Sequence, residues 1–290
     1  MSDVLTTMAY ERARSVPEAL VLLAEGGEDA RPISGGQSLV PMMNLGLAAP
    51  AFLVDVSTIP ALRTLAIEGE HLVIGAAVTH AELTSDPLVA DHAPLLARAA
   101  RQIGSQRIRN RGTIGGSVAH GDAAAELPMS CHVLEADYRV ESATGAELRP
   151  AGPFSLGYYQ TDLAPGELVT AIRVPLRPQH GWGFREYSRR AGDFALASAA
   201  AGVRLEGDRI AEVAIAVTGA ADRPTRLSGL ERSLVGQSVA SAVRSVAGLA
   251  RELTVADDPY CAGADRGRLI EVMVERALRD ACAEVRKEQS

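Results

Sequence analysis

Two short segments carry the residue types that can hold an anion through the backbone. Ser34-Gly35-Gly36-Gln37-Ser38 and Thr113-Ile114-Gly115-Gly116-Ser117 each set a glycine pair among small hydroxyl residues. Glycine tolerates positive φ and lets backbone N–H groups approach an anion closely, while Ser and Thr add hydroxyl donors. Two such loops converging would cradle a pyrophosphate with little help from lysine. The first also leads into a short helix, whose N-terminal dipole favours negative charge. A single Gly-Gly is more often only a turn, so the pair carries the reading. Neither segment is a Rossmann or a P-loop fingerprint.

The residues around these loops have chemistry of their own. Gln106-Arg107-Ile108-Arg109-Asn110-Arg111 places three arginines in five residues just before the second loop. They read as a solvated basic turn, as charge compensation for a phosphate or as a docking surface. Glu126 follows the second loop; its carboxylate can accept bonds from ribose or ribityl hydroxyls, or cap the helix that begins near Leu127. His80, His120 and His132 fit no ordinary metal spacing, and lone histidines are more often structural or exposed. Cys131, Cys261 and Cys282 include no C-x-x-C pair, which disfavours a zinc ribbon or an iron–sulfur cluster within the chain. Sparse cysteine fits a reducing cytosol, and Cys131 reads as a buried small hydrophobe.

The elements that must position these residues read as α+β. Ser15-Val16-Pro17-Glu18 and Thr79-His80-Ala81-Glu82 are capping boxes. Short strands are expected around Ile33 and over 52–56, and a short helix over 39–45. Glu68-Gly69-Glu70-His71 and Thr144-Gly145 mark hairpins. A helix over 88–103 is interrupted near Pro94, 104–126 reads as irregular, and 168–174 reads as a strand. Pro175, Pro178 and Gly181 mark a boundary. Beyond it come a meander around Gly207-Asp208 and a helical end, with an amphipathic helix over 265–285.

The 290 residues suggest about two domains. A net charge of -7 argues against nucleic-acid binding as the main task. The N-terminus has no signal-peptide pattern, and no apolar run approaches a membrane span. A cytoplasmic protein is expected.

Ile33-Ser34-Gly35-Gly36-Gln37-Ser38-Leu39-Val40-Pro41-Met42-Met43 resembles the first flavin loop of the FAD-binding medium subunits of molybdenum hydroxylases, the group of carbon monoxide, xanthine and nicotinate dehydrogenases. Ile103-Gly104 with the run from Gln106 to His120 resembles their second. Arg190-Ala191-Gly192-Asp193-Phe194-Ala195 resembles the start of their C-terminal flavoprotein domain. The resemblance covers nearly the whole chain. It implies a two-lobed FAD-binding domain of the PCMH type over 1–176, with lobes of about 1–57 and 58–176. A flavoprotein C-terminal domain over 177–290 follows, a three-stranded sheet plus helices. It implies that Ile33, Ser34, Gly35, Gly36, Gln37, Ser38 and Leu39 meet FAD from one side, and Thr113, Ile114, Gly115, Gly116 and Ser117 from the other. Glu126 matches an acidic FAD contact, and Ile103 and Gly104 match positions near the adenine. Ile172 or Val169 lines the flavin pocket. Phe184, or Tyr187, covers the isoalloxazine, and Arg185 is a cation near it.

The same resemblance implies an electron-transfer role. Electrons would come from 2Fe-2S clusters in a small subunit, fed by the molybdenum cofactor of a large molybdopterin subunit, and leave for an external acceptor. A dimer of heterotrimers is expected, with no catalytic side chain in this one. The alternatives are a non-catalytic nucleotide-binding scaffold subunit and a stand-alone FAD oxidase.

Overall fold

The computed structural model describes residues 8–190 and 192–288. The N-terminal stretch read above for a signal peptide begins outside them, as does Ala191 of the Arg190–Ala195 motif. The chain opens with β1 (Ala9–Arg12) and α1 (Val16–Gly26). The Ser15 hydroxyl accepts the Glu18 N–H, but the Glu18 carboxylate accepts from the Arg14 N–H at 2.7 Å, so that box closes one residue early. Then come β2 (Ala30–Ile33), α2 (Leu39–Asn44) and β3 (Phe52–Asp55). β3 is central in a parallel sheet ordered β1-β3-β2. Leu20, Leu23, Val54 and Ile59 fill the core of this first lobe.

The second lobe begins with the hairpin of β4 (Leu65–Glu68) and β5 (His71–Gly75). α3 (His80–Ser85) starts on a complete capping box of Thr79 and Glu82. α4 (Pro87–His92) and α5 (Pro94–Gln102) are the expected helix divided at Pro94. The stretch expected to be irregular instead forms α6 (Gln106–Arg109) and α7 (Ile114–His120), followed by α8 (Glu126–Val133). Side-chain caps explain the difference: Ser105 accepts the Ile108 N–H and Thr113 the Gly116 N–H. Ile114 and Val118 anchor α7 in the core. The lobe is completed by β6 (Asp137–Ser142), β7 (Gly145–Pro150), α9 (Ala151–Phe154), β8 (Ser155–Gly157), β9 (Gln160–Thr161) and β10 (Leu168–Pro175). Its main sheet is antiparallel, ordered β4-β5-β10-β6-β7.

The C-terminal region is a meander of β11 (His180–Ser188), β12 (Ala195–Glu206) and β13 (Arg209–Thr218), with the two-residue edge strand β14 (Thr225–Arg226). α10 (Ser228–Leu234), α11 (Val239–Ser245), α12 (Leu249–Glu252) and α13 (Gly263–Glu288) follow. α13 lies directly on β11: a Cβ on Gly181 or Gly183 would come within 2.1 or 1.9 Å of the carbonyl oxygens of Ala281 and Ala277. The opposite face of the sheet packs on the second lobe. There Trp182, Phe184, Ala200 and Ala216 share one core with Leu95, Leu127 and Ile172. Arg98 of α5 reaches across to Glu284 of α13 at 2.8 Å and donates to the Trp182 carbonyl.

Candidate functional site

The fold brings the two glycine loops into contact. A Cβ on Gly35 would lie 2.2 Å from the Arg111 carbonyl oxygen and 2.7 Å from the Gly112 Cα. Only a residue without a side chain allows that approach. Gly36 beside it has φ +69°, the left-handed region that glycine enters without strain. The Ser34 hydroxyl oxygen is buried in this loop with no hydrogen-bond partner.

The second loop is the entry to α7. The Gly115 N–H donates to the Ala76 carbonyl at 2.9 Å and the Ile114 N–H to Val78 at 3.0 Å, which fastens the loop to the second lobe. His80 lies beneath it: its N–H donates to the Gly112 carbonyl at 2.9 Å, and a Cβ on Gly112 would touch the imidazole. Both ring nitrogens are buried without a partner, and burial pulls the imidazole down to about 4, so the ring is neutral. Gly116 differs from the other glycines of these loops. It is exposed, and a Cβ there would meet only the Thr113 hydroxyl, at 2.9 Å.

The arginine run divides in two. Arg109 donates to the carbonyls of Ile103 and Gly104 at 2.9 and 2.8 Å, so it builds the loop. Arg107 and Arg111 are exposed. Gly104, at φ +44°, is packed by the β11–β12 loop, where a Cβ on Gly192 would lie 3.0 Å from the Gly104 carbonyl oxygen. Glu126 begins α8, and burial, with the charge of Glu186 adding to it, pushes its carboxyl up to about 8. Burial also pushes Glu186 up to about 7, against the Ser198 hydroxyl. The C-terminal domain therefore contributes a carboxyl whose charge is felt at Glu126 and that the sequence reading missed.

Four residues expected on the flavin side lie either in the core or in an ion pair. Ile172 is fully buried in the shared core, and Phe184 is only 8% exposed in the same core, so neither presents a surface. Val169 is buried with them. Arg185 lies on the other face of β11, paired with Asp280 of α13 at 2.6 Å. The period-two alternation of a strand separates Phe184 and Glu186 from Arg185, and it was available in the sequence. Tyr187 and Phe194 are both exposed, at 44% and 74%. Cys131 and Cys282 are buried in different cores, and burial pushes the Cys131 thiol up to about 12.

Comparison with known proteins bears on this geometry. Residues 6–177 match the FAD binding domain in molybdopterin dehydrogenase, and residues 182–281 match the CO dehydrogenase flavoprotein C-terminal domain. The chain belongs to the FAD-binding medium subunits of the molybdenum hydroxylases. The nicotine 6-hydroxylase medium subunit of Paenarthrobacter nicotinovorans is 37% identical over 96% of this chain and 99% of its own length. The carbon monoxide dehydrogenase medium chain of Hydrogenophaga pseudoflava is 38% identical over 94% and 96%. Among solved structures, reconstituted CO dehydrogenase from Oligotropha carboxidovorans superposes with a TM-score of 0.92 at 34% identity, covering 96% of this chain and 98% of that one. This medium subunit is thus an oxidoreductase subunit whose cofactor is FAD. Molybdenum and iron–sulfur cofactors belong to the other subunits of such enzymes. Among the described residues, no helix is long and apolar enough to cross a membrane.

Proposed function

We propose that the chain carries electrons through FAD within a molybdenum-containing hydroxylase or dehydrogenase. It takes them from iron–sulfur clusters of a small subunit and passes them to an external acceptor. The large molybdopterin subunit completes a heterotrimer that pairs into a dimer in the cytoplasm. The observation that carries the cofactor placement is Gly116: it is exposed at the mouth of the second loop, and among the described residues a side chain there would meet only the Thr113 hydroxyl. The buried, unpartnered Ser34 hydroxyl and the contact of the two loops at Gly35 fit a diphosphate between them.

In this reading Ile33 to Leu39 hold the diphosphate from the first lobe, and Thr113 to Ser117 from the second. Gly104 lines the seam with the C-terminal domain. Glu126, protonated near neutral pH, can both donate to and accept from sugar hydroxyls. Phe194 offers the aromatic cover in place of Phe184, because its ring is exposed two residues after Gly192, which packs on Gly104. FAD supplies the redox chemistry when bound, and the chain's residues bind it, orient it and shield it from water.

The test is the visible absorption spectrum of the purified full chain, with and without the subunits that co-purify, before and after acid denaturation. Flavin bands with FAD released into the supernatant are expected. A colourless protein that takes up no added FAD, even beside those subunits, would overturn the reading.

A further inference from the structure

α7 turns one face away from the core, and that face continues past the glycines. Thr113, Gly116, Ser117 and His120 recur at helical spacing, while Ile114, Gly115 and Val118 point into the core. At about 1.5 Å per residue, His120 stands roughly 6 Å along the axis from Gly116, one turn further on. Its imidazole is half-buried. One side is covered by the Tyr159 ring, with centroids 5.0 Å apart and planes at 47°. Among the described residues the ring nitrogens have no hydrogen-bond partner.

The backing of this imidazole is built in. Gly121 ends α7 at φ +68°, and its carbonyl accepts the Tyr159 N–H at 2.8 Å. A Cβ on Gly121 would press on Thr161 and Gln160. The β8–β9 hairpin is therefore seated on the end of α7 and holds Tyr159 against His120. Tyr159 itself has φ +55°, a conformation uncommon for a residue with a side chain, and the seat accounts for it.

We propose that His120 is a further cofactor-binding residue, whose ring hydrogen-bonds a hydroxyl of the five-carbon unit next to the FAD diphosphate. The inference rests on the FAD reading above. A neutral imidazole suits a hydroxyl because each group can donate and accept. Burial lowers the affinity of His120 for a proton, against the charge of Asp122, which favours that neutral form. Two parts of FAD supply this chemistry, the ribityl chain on the flavin side and the ribose on the adenosine side.

The experiment uses the full chain, with any subunits that co-purify, stripped of flavin. FAD affinity is read by flavin fluorescence for wild type, His120→Leu and His120→Gln, with circular dichroism and thermal unfolding of each. His120→Leu should weaken FAD about tenfold, the worth of one hydrogen bond left unmade, with its unfolding unchanged. His120→Gln should recover most of the affinity. FMN and ADP as competitors then separate the sources. If only FMN competes less well against His120→Leu than against wild type, the ribityl chain is the partner; if only ADP does, the ribose is. Leu and Gln variants that lose affinity equally, or a Leu variant that binds FAD like wild type, would overturn the inference while leaving the FAD reading intact. A wild-type chain that takes up no FAD in any assembly would overturn both.

Discussion

At the scale of single residues, neighbouring glycines do different work. Gly35 is needed because another loop lies on it, Gly36 because of its φ, and Gly116 is exposed with only the Thr113 hydroxyl close to its missing Cβ. Gly116→Val should fold once the Thr113 hydroxyl shifts to admit the new side chain, yet purify without flavin, as read by the ratio of visible to ultraviolet absorbance. A fully flavinylated variant would displace the diphosphate from this loop. The titratable groups give a prediction of a different kind. His80 and His132 are both pulled down to about 4 by burial. A group with a lowered pKa stabilises the fold above its unfolded value, and that stability is lost as pH falls from about 6.5 to about 4. Glu126 is raised, so its contribution is present at low pH and is lost as pH rises from its unfolded value through about 8. Urea midpoints should thus decline on the acid side. Glu126→Gln should remove the decline that Glu126 contributes between about pH 4.5 and 8; an unchanged slope over that window would show that Glu126 is not the group responsible.

At the scale of elements, α7 is the lesson. The glycine loops, the Thr79–Glu82 box, the break at Pro94 and the hairpins at Gly69 and Gly145 were legible because each rests on local chemistry within a few residues. α7 was not legible, since a Gly-Gly pair argues against helix by propensity. The helix exists because Thr113 caps it and because Ile114 and Val118 are buried by elements distant in sequence. Phe184 and Arg185 show a related limit: similarity of motif assigned them one shared place, whereas strand alternation puts them on opposite faces of β11. Thr113→Ala removes the cap hydroxyl from the Gly116 N–H at 3.2 Å. It should cost about 1 kcal/mol in chemical denaturation and weaken FAD as well, since the same turn shapes the loop. A stability loss with unaltered FAD affinity would separate the cap from the site.

At the scale of the whole molecule, the core does not stop at the domain boundary. Trp182 and Phe184 of the C-terminal region are buried with Leu95 and Leu127 of the second lobe. Arg98 links α5 to Glu284, whose carboxylate also accepts the Trp182 N–H at 2.8 Å. Calorimetry should therefore show these two units melting in one cooperative transition. Glu284→Ala should lower that transition by about 1–2 kcal/mol, discounted for the partial exposure of the pair. Two resolved transitions in the wild type would mean that the shared core is energetically weak.

The sheet between α13 and the second lobe is thin by composition. Ala197, Ala199, Ala200 and Ala201 of β12 are fully buried, and bare glycine backbone on β11 meets the helix. Alanine on both faces makes this sheet a shim, and its thickness sets how far the outer helix stands from the flavin domain. Enlarging any of these side chains would lever that spacing apart rather than fill a gap. Exchanges at these positions should therefore be tolerated only at equal size, as the packed alanines and glycines leave no slack.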